Sequence, residues 1–94
     1  MIHSTEQACE ITAIKPNIKL SAAKGGATVA TIIVGIGPTF SVVDNKPFFF
    51  DGKNLKATDS VTDTTYSAVK VKDSGNDAEC SVDITIDPAP VVVI

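Results

Sequence analysis

The sequence predicts an all-β fold, a Greek-key β-sandwich of about seven strands. Residues 66–72 and 79–86 alternate apolar and polar side chains and are joined by a short Ser-Gly-Asn turn, the pattern of an antiparallel hairpin with one buried face. Val, Ile and Thr supply much of the apolar 44% of the chain, a β-branched bias that suits strands. Turn signals recur about every eight to twelve residues. The 94 residues therefore predict one domain with essentially no helix.

The first half of the chain predicts an interrupted edge strand followed by a central strand. Residues 10–14 and 17–20 alternate weakly, and Lys15-Pro16 separates them. Because proline cannot donate to a ladder, this break favours an edge strand that changes its partner. Residues 27–34 carry apolar side chains at both parities, with Ile32 on one face and Ile33 on the other. They predict a central strand that is covered on both sides.

Three consecutive phenylalanines provide the first candidate interface residue. Neighbouring strand residues point in opposite directions, so Phe48 and Phe50 should face the core and Phe49 should face outward. An exposed aromatic residue is a common interface anchor, although a neighbouring loop could equally cover it. Asp51-Gly52, directly afterwards, is the strongest short hairpin signal in the chain.

The domain organisation predicted is an N-terminal arm over residues 1–9, the sandwich over 10–88 and an apolar C-terminal tail over 89–94. The tail contains four consecutive apolar residues, Val91, Val92, Val93 and Ile94. An exposed run of this kind is prone to aggregate as a β segment, so we expect it to have a partner. It would either add as a strand to a neighbouring subunit or fold back as an edge strand of its own sandwich.

Charge and hydropathy argue against nucleic-acid and membrane partners. The net charge is -3, arginine is absent and the lysines are scattered, so no basic field exists for a phosphate backbone. No window reaches the ~20 apolar residues of a membrane span, and the first residues lack a secretory signal. We expect a small, complete gene product made in the cytoplasm.

The sequence offers little chemistry for catalysis or metal binding. His3 is the single histidine and lies in the arm, so a catalytic triad or a zinc set has few candidates and no enzyme activity or cofactor is expected. Asp73, Asn76 and Asp77 are weak calcium candidates. The same residue types satisfy backbone hydrogen bonds in turns, which is the reading we favour.

The two cysteines leave two alternatives open. Cys80 shares the parity of Val82 and Ile84 and should face the core, and Cys9 heads the first strand, which in sandwiches can lie near the last. A disulfide between Cys9 and Cys80 would close a long loop, whereas two buried thiols would behave as small apolar side chains.

From residue 25 onward the chain resembles a cadherin-like or bacterial immunoglobulin-like module. Residues 26–32 resemble the "G-x-x-V" second strand, residues 40–42 with 48–55 the "F-x-I-D-x-x-G-x-L" segment, and residues 66–75 the "Y-x-L-x-V-x-A-x-D-x-G" strand and turn. The resemblance implies an immunoglobulin-like sandwich. The spacing from Tyr66 to Asp73 is one residue short of the family pattern, which implies either a bulge or an outward-facing Tyr66.

The resemblance also bears on function. The motifs with which cadherins bind calcium between repeats are missing from residues 35–37, 58–61 and 87–90. We therefore expect a non-enzymatic structural or binding module, a small virion decoration or accessory protein made in the host cytoplasm that attaches to a capsid or tail subunit or forms a homo-oligomer. The alternative is an adhesion or carbohydrate-binding module of a bacterial cell surface.

Overall fold

The structure, a computed structural model, describes residues 9–88. These residues form eight strands and one short helix: β1 (Glu10–Ala13), β2 (Ile18–Lys19), α1 (Leu20–Lys24), β3 (Thr28–Val34), β4 (Phe40–Val42), β5 (Phe48–Asp51), β6 (Asn54–Ala57), β7 (Thr65–Asp73) and β8 (Glu79–Asp87). The all-β prediction is confirmed. The described part of the chain has one strand more than the seven expected, because the first strand is divided in two.

The strands form two four-stranded sheets, which we call the first and the second sheet. The first has the order β1-β3-β6-β5 and the second the order β2-β8-β7-β4. Neighbouring strands are antiparallel except β2 and β8, which run parallel. The hairpin that dominates the sequence, β7 with β8, therefore lies in the middle of the second sheet.

The interrupted first strand changes sheets where the sequence places its proline. Ile11 on β1 pairs with Ile32 in the first sheet, whereas Ile18 on β2 pairs with Ile86 in the second. Lys15 and Pro16 lie between the two strands, outside both ladders. This crossing brings the beginning of the described chain against both sheets on one side of the sandwich.

The five-residue helix α1 corrects the expectation of essentially no helix. It begins at Leu20, the last residue of the predicted half-strand over residues 17–20, and its residues, Leu-Ser-Ala-Ala-Lys, include no β-branched side chain. Ala23 is fully buried in the core, so tertiary packing holds a helix too short to show a period in the sequence. No helix within residues 9–88 has the length and apolarity needed to span a membrane.

The core lies between the sheets and takes side chains from both. Its main cluster comprises Ala23, Val29, Ala30, Phe48, Leu55, Ala57, Val61, Val69, Ile84 and Ile86. A second cluster, nearer the disulfide, comprises Cys9, Ile32, Phe40 and Val71. Full burial of one such aliphatic or aromatic side chain is worth about 1.5–3 kcal/mol, so these positions supply most of the driving force for the fold.

Strand β3 is central in its sheet, and the expectation that it is covered on both faces holds at Val29 and Ala30, which are both buried, but not at Ile33. Ile32 points inward and is 5% exposed, whereas Ile33 is 58% exposed. The outer face of an antiparallel sheet can remain open to solvent, and here nothing in the described chain covers Ile33. Because β3 carries apolar residues at successive positions, one large aliphatic side chain, that of Ile33, lies on the surface.

The short spacing in β7 is explained by a bulge. The register between β7 and β8 shifts between Tyr66 and Val69, and Ala68 has a φ of 54°. The Ala68 N–H donates to Oδ1 of Asp83 at 2.7 Å, which gives the bulged residue a partner. Tyr66 consequently packs edge-on against Phe48, with ring centroids 5.0 Å apart. Of the two alternatives from the sequence, the structure has the bulge.

Candidate functional site: the apical loops around Asp73

Two loops at one end of the sandwich are held together by a buried carboxylate. We call them the apical loops: residues 35–39 between β3 and β4, and residues 74–78 between β7 and β8. Asp73, the last residue of β7, lies beneath both and is 1% exposed. Among residues 9–88 it is the one buried charged side chain. A buried charge is costly unless it is fully hydrogen-bonded, so its partners are informative.

The carboxylate of Asp73 is satisfied by backbone donors from both loops. The Ile36 N–H donates to Oδ2 at 2.6 Å, and the Gly37 N–H donates to Oδ1 at 2.8 Å. The Gly75 N–H also donates to Oδ1, at 2.8 Å, which closes a turn within the second loop. Three backbone N–H groups that strand pairing leaves unused thus converge on one side chain, and the two loops are joined through it.

These contacts decide the charge state of Asp73. Burial raises the pKa of the carboxyl, but the N–H groups of Ile36, Gly75 and Gly37, helped by the positive charge of Lys53, lower it by more. The pKa of Asp73 therefore lies below its usual value of 3.8. Hydrogen bonds to the ionised form favour that form, so Asp73 is a carboxylate at neutral pH.

The apical loops also touch each other directly. A Cβ atom on Gly75 would lie 2.6 Å from the Gly37 carbonyl oxygen and from Cγ2 of Ile36, so no larger residue fits without displacing the neighbouring loop. The Ser74 N–H donates to the Thr39 carbonyl oxygen at 3.1 Å, and the Thr39 N–H donates back to Oγ of Ser74 at 3.1 Å. The backbone of both loops is therefore fixed by contacts independent of any ligand.

On this fixed backbone stands an exposed aliphatic side chain. Ile36 is 67% exposed, more than the other exposed large apolar residues of the described chain, Ile33, Val43 and Phe49. Its own N–H is tied to Asp73 and its side chain lies across Gly75. Such a residue needs little ordering before it contacts a partner, and ordering is a main cost of binding.

A disulfide joins the chain beside these loops. Of the two alternatives for Cys9 and Cys80, the structure has the bridge, with the Cα atoms 5.6 Å apart. Cys9 is 4% exposed and packs with Phe40 and Val71, although the sequence placed it at the end of the arm. Cys9 directly precedes β1, and Cys80 is the second residue of β8. The bridge therefore reinforces the end of the sandwich that carries the apical loops.

The three calcium candidates have structural roles in the described chain. The oxygens of Asp73 face N–H donors, and Oδ1 of Asn76 accepts from the Ala78 N–H at 3.0 Å. Asp77 forms an exposed ion pair with Lys72 at 4.0 Å. Among residues 9–88 no group of three or more His, Cys, Asp or Glu residues is placed to hold a metal ion. The turn interpretation accounts for these residues.

The remaining predicted site residues lie elsewhere or outside the described chain. Phe49 on β5 is 46% exposed, while Phe48 is buried and Phe50 is half-buried, as strand alternation requires. Val91, Val92, Val93 and Ile94 lie outside the described residues, as does His3. Phe49 lies on a different surface from the apical loops, the outer face of the first sheet.

An open polar cavity of ≈ 430 Å³ lies among the loops that follow β4 and β6. It is lined by Asn45, Lys46, Pro47, Thr58, Ser60 and Tyr66. The Tyr66 hydroxyl accepts from the Thr62 N–H at 2.9 Å, so this oxygen already has a structural partner. The lining contains no carboxylate, histidine or thiol, the groups that general acid–base or nucleophilic catalysis most often uses.

Comparison with known proteins identifies no relative: no family model, no curated protein and no solved structure matches the chain.

From the sequence, Asp73 is a weak calcium candidate for which a turn role is favoured, whereas no sequence signal singles out Ile36. A usable signal was present. A carboxylate that ends a buried strand face, followed two residues later by glycine, is typical of a side chain that caps its own turn. The second loop that Asp73 binds is 36 residues away and could not be identified without the fold.

Proposed function

We propose that this protein is a non-enzymatic immunoglobulin-like module that attaches to a larger protein assembly through its apical loops. The observation that carries the proposal is Ile36, an aliphatic side chain 67% exposed on a backbone held by Asp73. Burying it against a partner would contribute about 1.5–3 kcal/mol, with little loss of loop entropy to offset it.

The strand order supports the immunoglobulin-like part of the proposal. If β3 to β8 are lettered B to G, the sheets read A-B-E-D and A′-G-F-C, where A and A′ are β1 and β2. Immunoglobulin constant-type domains place A, B, E and D in one sheet and C, F and G in the other. In this lettering the apical loops are the B–C and F–G loops, two of the three that variable domains use for recognition.

A virion is the assembly we propose, with the chain as a decoration or accessory protein on a capsid or tail. The support is an acidic chain without a basic field, a candidate interface on a rigid module, and the lack of a metal-binding cluster of His, Cys, Asp or Glu among residues 9–88. The alternative is an adhesion or carbohydrate-binding module of a bacterial surface protein. What favours the alternative is the open cavity with its amide and hydroxyl groups beside Tyr66.

Incorporation into particles tests the proposal. Virus particles assembled with the wild-type chain should retain it at a fixed copy number after purification, whereas Ile36→Asp should be lost from them. Ile33→Asp is the matched control, since Ile33 is similarly exposed but lies on the outer face of β3. Equal retention of Ile36→Asp and wild type would contradict attachment through the apical loops. Absence of the wild-type chain from particles would contradict the virion proposal.

A second measurement addresses the alternative. Titration with bacterial surface polysaccharides, followed by the amide resonances of Asn45, Ser60 and Tyr66, should produce no shifts if the module binds protein. Saturable shifts confined to the cavity would instead support carbohydrate binding and would require the function to be revised.

A further inference from the structure

We propose that the outer edge of β5 accepts residues 91–94 of a second copy of this chain as an added strand. This self-association would use a surface separate from the apical loops and does not depend on the function proposed above. Its basis is the open edge of the first sheet, together with the chemistry and the reach of the tail.

Strand β5 is the edge strand of the first sheet, and β4, the edge strand of the second sheet, packs against it without pairing with it. β5 pairs with β6 through Phe49 and Lys56, and beyond β5 no strand of the described chain is hydrogen-bonded to it. The Thr58 N–H donates to the Pro47 carbonyl oxygen, so by antiparallel alternation the polar groups of Phe48 and Phe50 point to the outer edge. The Phe48 N–H already donates to the Lys46 carbonyl oxygen at 2.8 Å. The N–H of Phe50 and the carbonyl groups of Phe48 and Phe50 remain for an incoming strand.

The side chains on this edge suit an apolar strand. Phe49 is 46% exposed on the outer face, and Phe50 is half-buried on the inner face. An incoming strand would place alternate Val side chains beside both, and aromatic residues paired with β-branched residues stabilise neighbouring strands. The nearby charges neutralise each other, since Lys56 lies 3.2 Å from Asp51 and Lys46 lies 3.5 Å from Asp44. Unpaired lysines on an edge strand commonly protect it against strand addition, but Lys46 and Lys56 are both paired with aspartates.

The sequence of the tail fits the edge in length and character. Residues 91–94 are Val-Val-Val-Ile, four uncharged β-branched residues, and β5 is also four residues long. Pro88 and Pro90 precede them in the sequence, and proline cannot donate a hydrogen bond to a strand ladder.

Chain length argues that the acceptor belongs to another copy. Strand β8, in the second sheet, packs over β1 and β3 of the first sheet. A strand added to the outer edge of β5 would lie three strand spacings from β3 within the first sheet. Together with the separation between the sheets, this places it about 17 Å from β8. Residues 88–90 span at most about 11 Å when extended. Residues 91–94 therefore cannot align along β5 of their own chain, whereas a second copy presents the same edge without this restriction.

Sedimentation equilibrium of two variants, with the disulfide intact, tests the inference. Deletion of residues 91–94 removes the donor strand, and Phe49→Lys puts an unpaired charge beside the acceptor. Each should weaken self-association at least about ten-fold. Ile33→Lys, the matched control on the interior strand β3, should associate like wild type. A mixture of the deletion variant and Phe49→Lys should form a one-to-one heterodimer, because one contributes an intact edge and the other an intact tail.

Three results would overturn the inference. The first is a wild-type chain that stays monomeric up to about 1 mM. The second is self-association of either the deletion variant or Phe49→Lys with the strength of wild type, or the failure of a mixture of these two variants to form a heterodimer. The third is a deletion that lowers the melting temperature of the isolated monomer, because residues 91–94 would then pack on their own sandwich. Equal melting temperatures of all three variants and wild type at low concentration show that folding is intact.

Discussion

The Ile36 N–H donates to Oδ2 of Asp73 at 2.6 Å, across 37 residues of sequence. In the part of the chain that the structure describes, this hydrogen bond connects the most exposed large aliphatic residue, Ile36, to the one buried charged residue, Asp73. Asp73 thus has an energetic and a structural consequence. It compensates three backbone donors that have no strand partner, and it fixes the position at which Ile36 meets solvent.

Substitution of Asp73 with Asn should make the fold less stable at neutral pH and less sensitive to acid. The pKa of Asp73 is lower in the folded chain than in the unfolded chain, where it is ~3.9. Its ionised form therefore stabilises the fold fully above that value, and the contribution is lost as the pH falls through the lower, folded-state pKa. Asn offers one acceptor oxygen and places an NH₂ group against N–H donors.

Thermal melts between pH 2 and pH 7 measure this effect. The melting temperature of Asp73→Asn should lie at least about 5 °C below wild type at pH 7, and the difference should narrow as the pH falls below ~3.9. Asp77→Asn, in the neighbouring loop but exposed, is the control and should follow the wild-type curve within about 2 °C. A constant difference between Asp73→Asn and wild type at every pH would contradict the assigned charge state.

Reduction of the Cys9–Cys80 disulfide should destabilise the domain strongly. The bridge spans 71 residues, and closing a long loop in the unfolded chain contributes about 2–5 kcal/mol in the chain-entropy account. A reductant should lower the melting temperature of the wild-type chain by roughly 10–20 °C. The double variant Cys9→Ala/Cys80→Ala should melt at the reduced temperature with or without reductant. An unchanged melt of wild type after complete reduction would show that the bridge carries no stability.

Substitution of Ala68 with Gly should stabilise the protein. Ala68 is exposed and has a φ of 54°, a left-handed conformation that costs an L-residue more than glycine. Ala68→Gly should raise the free energy of unfolding by about 0.5–1 kcal/mol in urea titrations. Ser67→Gly is the control: Ser67 is exposed without a positive φ, so glycine should there lower the free energy of unfolding by a similar amount. Destabilisation by Ala68→Gly would argue against the bulge.

Calcium should not change the stability of the domain. The oxygens of Asp73 are occupied by N–H donors, and Asn76 caps its own turn, so the acidic loop lacks a convergent set of oxygen ligands. Melting curves recorded with calcium and with a chelator should coincide. A chelator-induced decrease of more than about 5 °C, equivalent to roughly 1 kcal/mol, would contradict this assignment.

The features that the sequence predicted correctly are the local ones. The β7–β8 hairpin follows from period-two alternation, and the exchange of sheets between β1 and β2 follows from one proline that cannot join a ladder. The inward Phe48 and outward Phe49 follow from the same alternation. In each case the cause lies within about ten residues of its effect.

The features that the sequence could not predict depend on contacts between distant segments. Helix α1 is too short for a period and exists because Ala23 fills a site in the core. Ile33 is exposed because nothing in the described chain covers the outer face of β3, and no pattern within residues 27–34 encodes that absence. The role of Asp73 required knowledge that residues 36 and 37 lie above it. The candidate site was therefore visible as residues, but not as an arrangement.

Asp73 holds the apical loops in one conformation before any partner binds. Native-state hydrogen exchange at the Ile36, Gly37 and Gly75 amides tests it most directly, since each of these donates to the carboxylate. We expect protection comparable to the amides of β7 and β8 in wild type, and its loss at these three positions in Asp73→Asn under conditions where the strands stay protected. Exchange of the three amides in wild type at the rate of an open loop would contradict the claim.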